Sequence, residues 1–243
     1  MVNLKTFIFL FLLLLSLVLL NLSNTKKNTT KNTYETIKIG GSEGRDSDSS
    51  DSSNKINIIR IPNFITKKEC KRLIKLAKPT MTRSYVVGLK KNIKSNHRTS
   101  TNTFLDINVG LVDKIFNKLE TITHIPKKNY EDIQIARYKP KQFYKEHYDI
   151  CVPFNSPSCK QDIKMGGKRI KTAIIYLNKK FTKGHTSFPL LKKKYKLEPG
   201  EVIIFDNIYN KNKYKLALHQ GNPLKTGEKW IATVWIRENE FTP

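Results

Sequence analysis

Apolar positions fall into three regimes along the chain. Phe7 to Leu20 is an almost unbroken apolar run, interrupted by Ser16, with Lys5 before it and Lys26 and Lys27 behind it. Extended to Leu22 it is slightly short of the ~20 residues that span a bilayer comfortably and slightly long for a signal-peptide apolar region. Residues 1–24 are therefore expected to be a signal peptide or a type II signal anchor. The anchor is favoured because Leu19-Leu20-Asn21-Leu22-Ser23-Asn24 makes a poor small-residue cleavage site. Lysines on both flanks leave the orientation unset. Residues 25–55 shift to Asn, Thr, Gly, Ser and Asp, ending in the Asp46 to Ser53 tract. So little apolar surface cannot offset the entropy of ordering, and a flexible linker is expected. Asn28-Thr29-Thr30 within it is an N-glycosylation sequon, usable if the stretch is lumenal.

From Ile56 to Pro243 the pattern becomes that of a globular domain. Thr66 is placed as an N-cap with Glu69 three residues on, as in a capping box, and Cys70, Leu73, Ile74 and Ala77 follow at helical spacing before Pro79. Val109, Val112, Ile115, Phe116 and Leu119 predict a second helix. The period then shortens, and Ile133 to Tyr138, Lys171 to Leu177, Glu201 to Phe205 and Trp230 to Arg237 read as strands rich in β-branched and aromatic residues. Helices followed by many strands predict an α+β layout, a β-sandwich or barrel buttressed by helices.

Charge changes the picture less than its size suggests. Lys+Arg 45 against Asp+Glu 20 gives a formal net charge of +25, which first points to nucleic acid, acidic membranes or acidic substrates. Only eight of the 45 are arginines, and the lysines are dispersed among asparagines, as on a solvated surface. Three cysteines exclude a full disulfide framework. Cys151 and Cys159 share one loop-like stretch and could pair in an oxidising lumen, while Cys70 sits in the helical pattern as a core residue.

His147 and Asp149 are two apart, so in an extended segment both side chains point the same way. His219 lies seventy residues beyond Asp149, where a late strand should end. Two histidines and a carboxylate on a rigid β scaffold occupy one face of an octahedron, the ligand set of non-haem Fe(II) oxygenases. A single His-x-Asp is common by chance, and its histidine is ordinarily a surface or hydrogen-bonded residue. Lys229, ten residues after His219, adds a cation that could bind the far carboxylate of an iron-chelating dicarboxylate.

Around these residues the chain resembles the prolyl 4-hydroxylase catalytic domain of the Fe(II) and 2-oxoglutarate dioxygenase superfamily. The matching residues run in order from Phe64 and Glu69-Cys70 through Val86-Val87, Arg98-Thr99-Ser100 and Thr103-Phe104-Leu105 to Tyr138, Gln142, Tyr144, His147 and Asp149. Arg169, Thr172, Tyr176-Leu177-Asn178, Gly184, Thr186 and Phe188-Pro189 continue the series. Pro199-Gly200, Phe205, Asn207, His219, Gly221, Lys229-Trp230 and Trp235-Ile236-Arg237 close it. Two turns depart from the family pattern: its Gly-Gly-Glu-Thr reads Lys183-Gly184-His185-Thr186, and Lys141 stands for the glycine of its Tyr-x-x-Gly-Gln element. His185 is assigned to the surface.

The resemblance implies a double-stranded β-helix, or jelly roll, buttressed by N-terminal helices. It implies that His147, Asp149 and His219 hold Fe(II), that Lys229 pairs with the far carboxylate of 2-oxoglutarate, and that Tyr138 and Thr186 hydrogen-bond the same end. Tyr176 and Trp235 would line the cosubstrate pocket, and Arg169 and Tyr144 would face the peptide groove. The implied reaction is 4-hydroxylation of peptidyl proline with O2, ascorbate in support, and conversion of 2-oxoglutarate to succinate and CO2. The partner would be a proline-containing, collagen-like or hydroxyproline-rich protein, reached from a membrane-anchored position in the endoplasmic reticulum lumen, with no nucleic acid. Nucleic-acid dealkylation and lysyl hydroxylation are disfavoured because the related enzymes carry Arg where Lys229 stands. A non-catalytic peptide-binding module is disfavoured by the intact ligand set.

Overall fold

The computed structural model describes residues 33–38, 55–84, 96–208 and 214–243, with residues 33–38 and Lys55 described by their backbone alone. The apolar run 7–22, the sequon, the Ser/Asp tract and Val86-Val87 lie outside the described residues. Among the described residues no helix is long and apolar enough to cross a membrane.

The strands are β1 (Thr33–Lys38), β2 (Lys55–Ile61), β3 (Thr82–Arg83), β4 (Thr101–Leu105), β5 (Ile133–Tyr138), β6 (Tyr144–His147), β7 (Arg169–Tyr176), β8 (Phe181–Lys183), β9 (Thr186–Phe188), β10 (Lys193–Tyr195), β11 (Val202–Asp206), β12 (His219–Gly221), β13 (Leu224–Gly227) and β14 (Lys229–Arg237). They pair antiparallel into an eight-stranded sheet, β1-β2-β11-β7-β14-β5-β4-β3, a four-stranded sheet, β10-β9-β12-β6, and a two-stranded sheet, β13-β8. This is the jelly roll.

Period-two alternation sorts the large sheet's side chains to two destinations. Ala173 and Ile175 of β7, Val202 and Ile204 of β11, and Trp230, Ala232, Val234 and Ile236 of β14 pack beneath the helices. The intervening Ile174, Tyr176, Ile203, Phe205 and Ile231 join Phe181, Phe188 and Leu224 in a second core against the smaller strands. Both faces of β14 are covered, so it reads as a continuous buried run rather than an alternation.

Helix α1 (Lys67–Ala77) starts as the sequence predicts. The Thr66 hydroxyl accepts the Glu69 N–H at 3.2 Å, and the Glu69 carboxylate accepts the Thr66 N–H at 2.8 Å. It buries Cys70, Leu73 and Ala77, and Pro79 lies in the 3-10 turn that follows. Helix α2 (Gly110–Thr123) buries Leu111, Val112, Ile115, Phe116 and Leu119 beside them, while Val109 serves as its N-cap position. Truncating such a residue, as in Leu73→Ala, is expected to cost about 2–5 kcal/mol.

Two expectations are corrected. Within the stretch read as linker, Thr33–Lys38 forms β1, paired with β2 from Thr33 opposite Arg60 to Lys38 opposite Lys55. Backbone pairing along a sheet edge needs no apolar side chains, so composition could not announce it. The loop-like stretch around Cys159 contains a third helix, α3 (Pro157–Lys164), capped by Ser156, whose hydroxyl accepts the Cys159 N–H. Cys151 and Cys159 are disulfide-bonded, and Cys70 is free and buried.

Candidate active site

His147 ends β6, and His219 opens β12 directly opposite it. Pairing of these two short strands thus sets the imidazoles side by side, with ring centroids 4.2 Å apart. Each ring bonds the carbonyl two residues before it through Nδ1, His147 to Lys145 at 2.8 Å and His219 to Ala217 at 2.9 Å. An N–H directed at a carbonyl leaves Nε2 bearing the lone pair. Both Nε2 atoms face Asp149, at 3.7 Å from Oδ1 for His147 and 3.5 Å from Oδ2 for His219. The three ligand atoms lie within 4.8 Å of one another.

The protonation states suit a divalent cation. Burial, with His219 adding to it, holds His147 down to about 3, so its imidazole is neutral. Burial alone would raise the Asp149 carboxyl. His219, His147, Arg169 and the Thr172 hydrogen bond outweigh it and hold the group below the ordinary aspartate value. A neutral His147 imidazole, an ionised Asp149 carboxylate and the converging His219 ring fit Fe(II).

A second polar end lies in the same cavity. Lys229 is 1 % exposed, and among the described residues Nζ reaches only the Thr186 hydroxyl, at 3.3 Å, with the Tyr176 and Tyr138 rings 4.8 and 5.6 Å away. Among the described residues no carboxylate pairs with it, and burial lowers it to about 7. A buried cation without a counter-charge in the metal ligands' own cavity fits a dicarboxylate whose other end reaches the metal. β14 supplies the cavity wall: Lys229, Ile231, Thr233 and Trp235 alternate onto it, and the β5 register sets Lys229 opposite Tyr138. Among the described residues the buried Trp235 Nε1 has no hydrogen-bond partner, and it stands as a spare donor in that wall.

The remaining predicted residues divide. Tyr138 and Thr186 line the cavity. Tyr176 stands behind it instead of lining it: its hydroxyl donates to the Tyr195 carbonyl at 3.1 Å and bonds Thr186, so it braces Thr186 and stacks near Lys229. Tyr144 lies flat on His147 at 3.5 Å between centroids. Arg169 lies over Trp235 at 4.1 Å and is committed to Glu131 through two hydrogen bonds of 2.6 and 2.7 Å, with a third to the Asp149 carbonyl. His185 is half-buried in a turn outside the metal cluster. Lys141 and Lys183, where the pattern carries Gly, have φ of 68° and 58°, so the glycine backbone is retained with a side chain on it.

Beside the metal ligands opens a second cavity of about 610 Å³, walled by Phe104, Tyr144, Tyr148, Val152, Arg169 and Trp235. Its far side is built on a buried ion network: Arg237, wholly buried, donates to Glu131 at 2.7 Å, to Asp162 at 2.9 Å and to the Gly167 carbonyl at 2.7 Å. The Cys151–Cys159 disulfide braces the same loop. Neither Glu131 nor Gln134 belongs to the motif residues of the sequence. Gln134 accepts from the buried Arg98 at 2.6 Å in the wall shared by both cavities, and its only sequence signal is inward register on β5.

Comparison with known proteins converges on one group. The profile described as the 2OG-Fe(II) oxygenase superfamily matches residues 133–237. A protein of Acanthamoeba polyphaga mimivirus, provisionally named a prolyl 4-hydroxylase, is 37% identical over 183 residues, 74% of each chain. Prolyl 4-hydroxylase 1 of Arabidopsis thaliana is 31% identical over 201 residues, 74% of this chain and 69% of that one. The crystal structure of a viral collagen prolyl hydroxylase from Paramecium Bursaria Chlorella virus-1, in complex with 2OG, superimposes with a TM-score of 0.57 at 32% identity, covering 74% of this chain and 94% of that one.

Proposed function

This chain belongs to the prolyl 4-hydroxylase family of the 2OG-Fe(II) oxygenase superfamily, and on that premise we propose that it hydroxylates peptidyl proline at C4. It is a 2-oxoglutarate-dependent dioxygenase, an oxidoreductase that uses Fe(II) and O2. The observation that carries the reading is the uncompensated Lys229 in one cavity with the His147, Asp149 and His219 cluster.

His147, Asp149 and His219 would hold Fe(II), and Lys229 with Thr186 would hold the far carboxylate of 2-oxoglutarate. Metal and cosubstrate together supply the activation of O2, with succinate and CO2 as coproducts. The chain's own work is to bind and to exclude. Lys229 fixes one end of the cosubstrate, Tyr138 and Ile231 keep water from it, and Tyr144 holds His147 in plane. The 610 Å³ cavity suits an extended proline-containing peptide, collagen-like or hydroxyproline-rich, whose rings would lie against Tyr144, Tyr148 and Trp235.

The Cys151–Cys159 disulfide supports an oxidising compartment such as the endoplasmic reticulum lumen. The apolar run 7–22 supports a type II anchor with the catalytic domain lumenal. Protease protection of the expressed full chain in microsomes tests both, and digestion without detergent would refute the arrangement.

The test of activity incubates the full chain with Fe(II), 2-oxoglutarate, ascorbate and proline-rich or collagen-like peptides. Mass spectrometry should find one added oxygen on proline with matching succinate. Oxygen placed on lysine or on a methylated nucleobase, with none on proline, would overturn the reading.

A further inference from the structure

The two histidines and the aspartate are not held alike. His147 and His219 are register partners in paired strands, but Asp149 lies two residues beyond the end of β6, where no ladder fixes it. Side chains fix it instead. Asp149 Oδ2 accepts the Thr172 hydroxyl at 2.7 Å, and Thr172 Oγ1 accepts an N–H from Asn207 Nδ2 at 2.9 Å. Thr172 lies in the centre of the large sheet, opposite Phe205 on β11 and Trp235 on β14. Asn207 just follows β11, its backbone N–H tied to the Ile170 carbonyl at 2.8 Å.

Donor inventory fixes the direction of this chain. An ionised carboxylate only accepts, so the single Thr172 proton goes to Asp149, and Asn207 must then present its NH2 group to Thr172. That orientation leaves Asn207 Oδ1 buried without a partner among the described residues. An orphaned buried acceptor is destabilising, so the amide is turned for what its donor side does.

We propose that Asn207 and Thr172 form a positioning relay that ties the Asp149 carboxylate to the sheet through Oδ2 and so fixes the angle at which it meets the metal position. The inference rests on the reading of His147, Asp149 and His219 as the Fe(II) site. A carboxylate free to turn could close over one of the positions that two imidazoles and one carboxylate leave open. Neither Thr172 nor Asn207 touches the metal position; both act through Asp149.

Calorimetric titration of the full chain with Fe(II) under anaerobic conditions, and with Co(II), tests the relay without turnover. Thr172→Val is expected to weaken binding about 10–100-fold, and Thr172→Ser to restore it. Asn207→Ala should weaken it less, and adding Asn207→Ala to Thr172→Val should cost nothing further, because Asn207 acts only through the hydroxyl. Wild-type affinity in Thr172→Val, or full additivity of the two substitutions, would overturn the relay. If Thr172→Val does not fold, Asn207→Ala decides alone, a loss supporting the relay and wild-type affinity overturning it. A wild-type chain that binds neither metal overturns the relay together with the metal-centre reading, while failure of proline hydroxylation alone leaves these titrations unchanged.

Discussion

His147 and His219 face each other as register partners of β6 and β12, and each imidazole anchors its Nδ1 to the carbonyl two residues upstream. The same local device, used twice, aims two Nε2 lone pairs at one point. His147→Ala or His219→Ala should therefore abolish both Fe(II) binding and peptide-stimulated succinate formation while leaving the circular dichroism spectrum intact. Retained turnover in either variant, with Fe(II) supplied, would sink the metal assignment.

Among the described residues no carboxylate pairs with the buried amine of Lys229. Lys229→Met should weaken 2-oxoglutarate binding by about 2–5 kcal/mol, the usual loss when one partner of a buried charge pair is removed. Below about pH 7 it should also raise the melting temperature of the ligand-free protein, because a buried unpaired charge is removed. Calorimetry and thermal melts read the two effects separately. Unchanged 2-oxoglutarate affinity would move the cosubstrate away from this lysine.

The pH dependence has a definite sign. Burial lowers Lys229 to about 7, far below the ordinary lysine value. Between these values the unfolded chain holds a proton that the ligand-free fold has released, so this group makes stability rise with pH across that window. Binding a dicarboxylate favours the charged lysine, so binding takes up a proton and 2-oxoglutarate affinity should fall as pH rises above about 7. Titrations in buffers of different ionisation enthalpy should register net proton uptake at pH 8, and proton release would contradict the assignment.

Lys141 and Lys183 occupy left-handed backbone, where a side chain costs about 1–2 kcal/mol relative to glycine. Glycine at either position adds freedom to the unfolded chain worth about 0.4–1 kcal/mol, which offsets part of that gain. Lys141→Gly and Lys183→Gly are therefore expected to be neutral or to stabilise by up to about 1.5 kcal/mol, read as the urea midpoint. A loss of more than that would mean the lysine side chains make contacts of their own.

Much of this was legible in the residue pattern. The capping box at Thr66 and Glu69, the buried stripe of α2 and the strand at Ile133 to Tyr138 depend on neighbours within a few positions, so local physics is enough to find them. The His147, Asp149 and His219 cluster was legible because metal chemistry restricts residue type and because the surrounding motif stands in order. β1 was not, since a strand paired along a sheet edge through its backbone leaves no compositional mark.

By itself the sequence determined which residues could serve: two imidazoles and a carboxylate for the metal, one lysine for a dicarboxylate, and two cysteines near enough to pair. Only the tertiary structure decided which partners complete them. It put Tyr176 behind Thr186 instead of in the cavity, committed Arg169 to Glu131, and linked Asn207 through Thr172 to Asp149 across separations of 10, 38, 35 and 23 residues. The reason is physical. Ligand chemistry is a property of each side chain, but a hydrogen-bond network is a property of register, and register exists only once the sheets have paired.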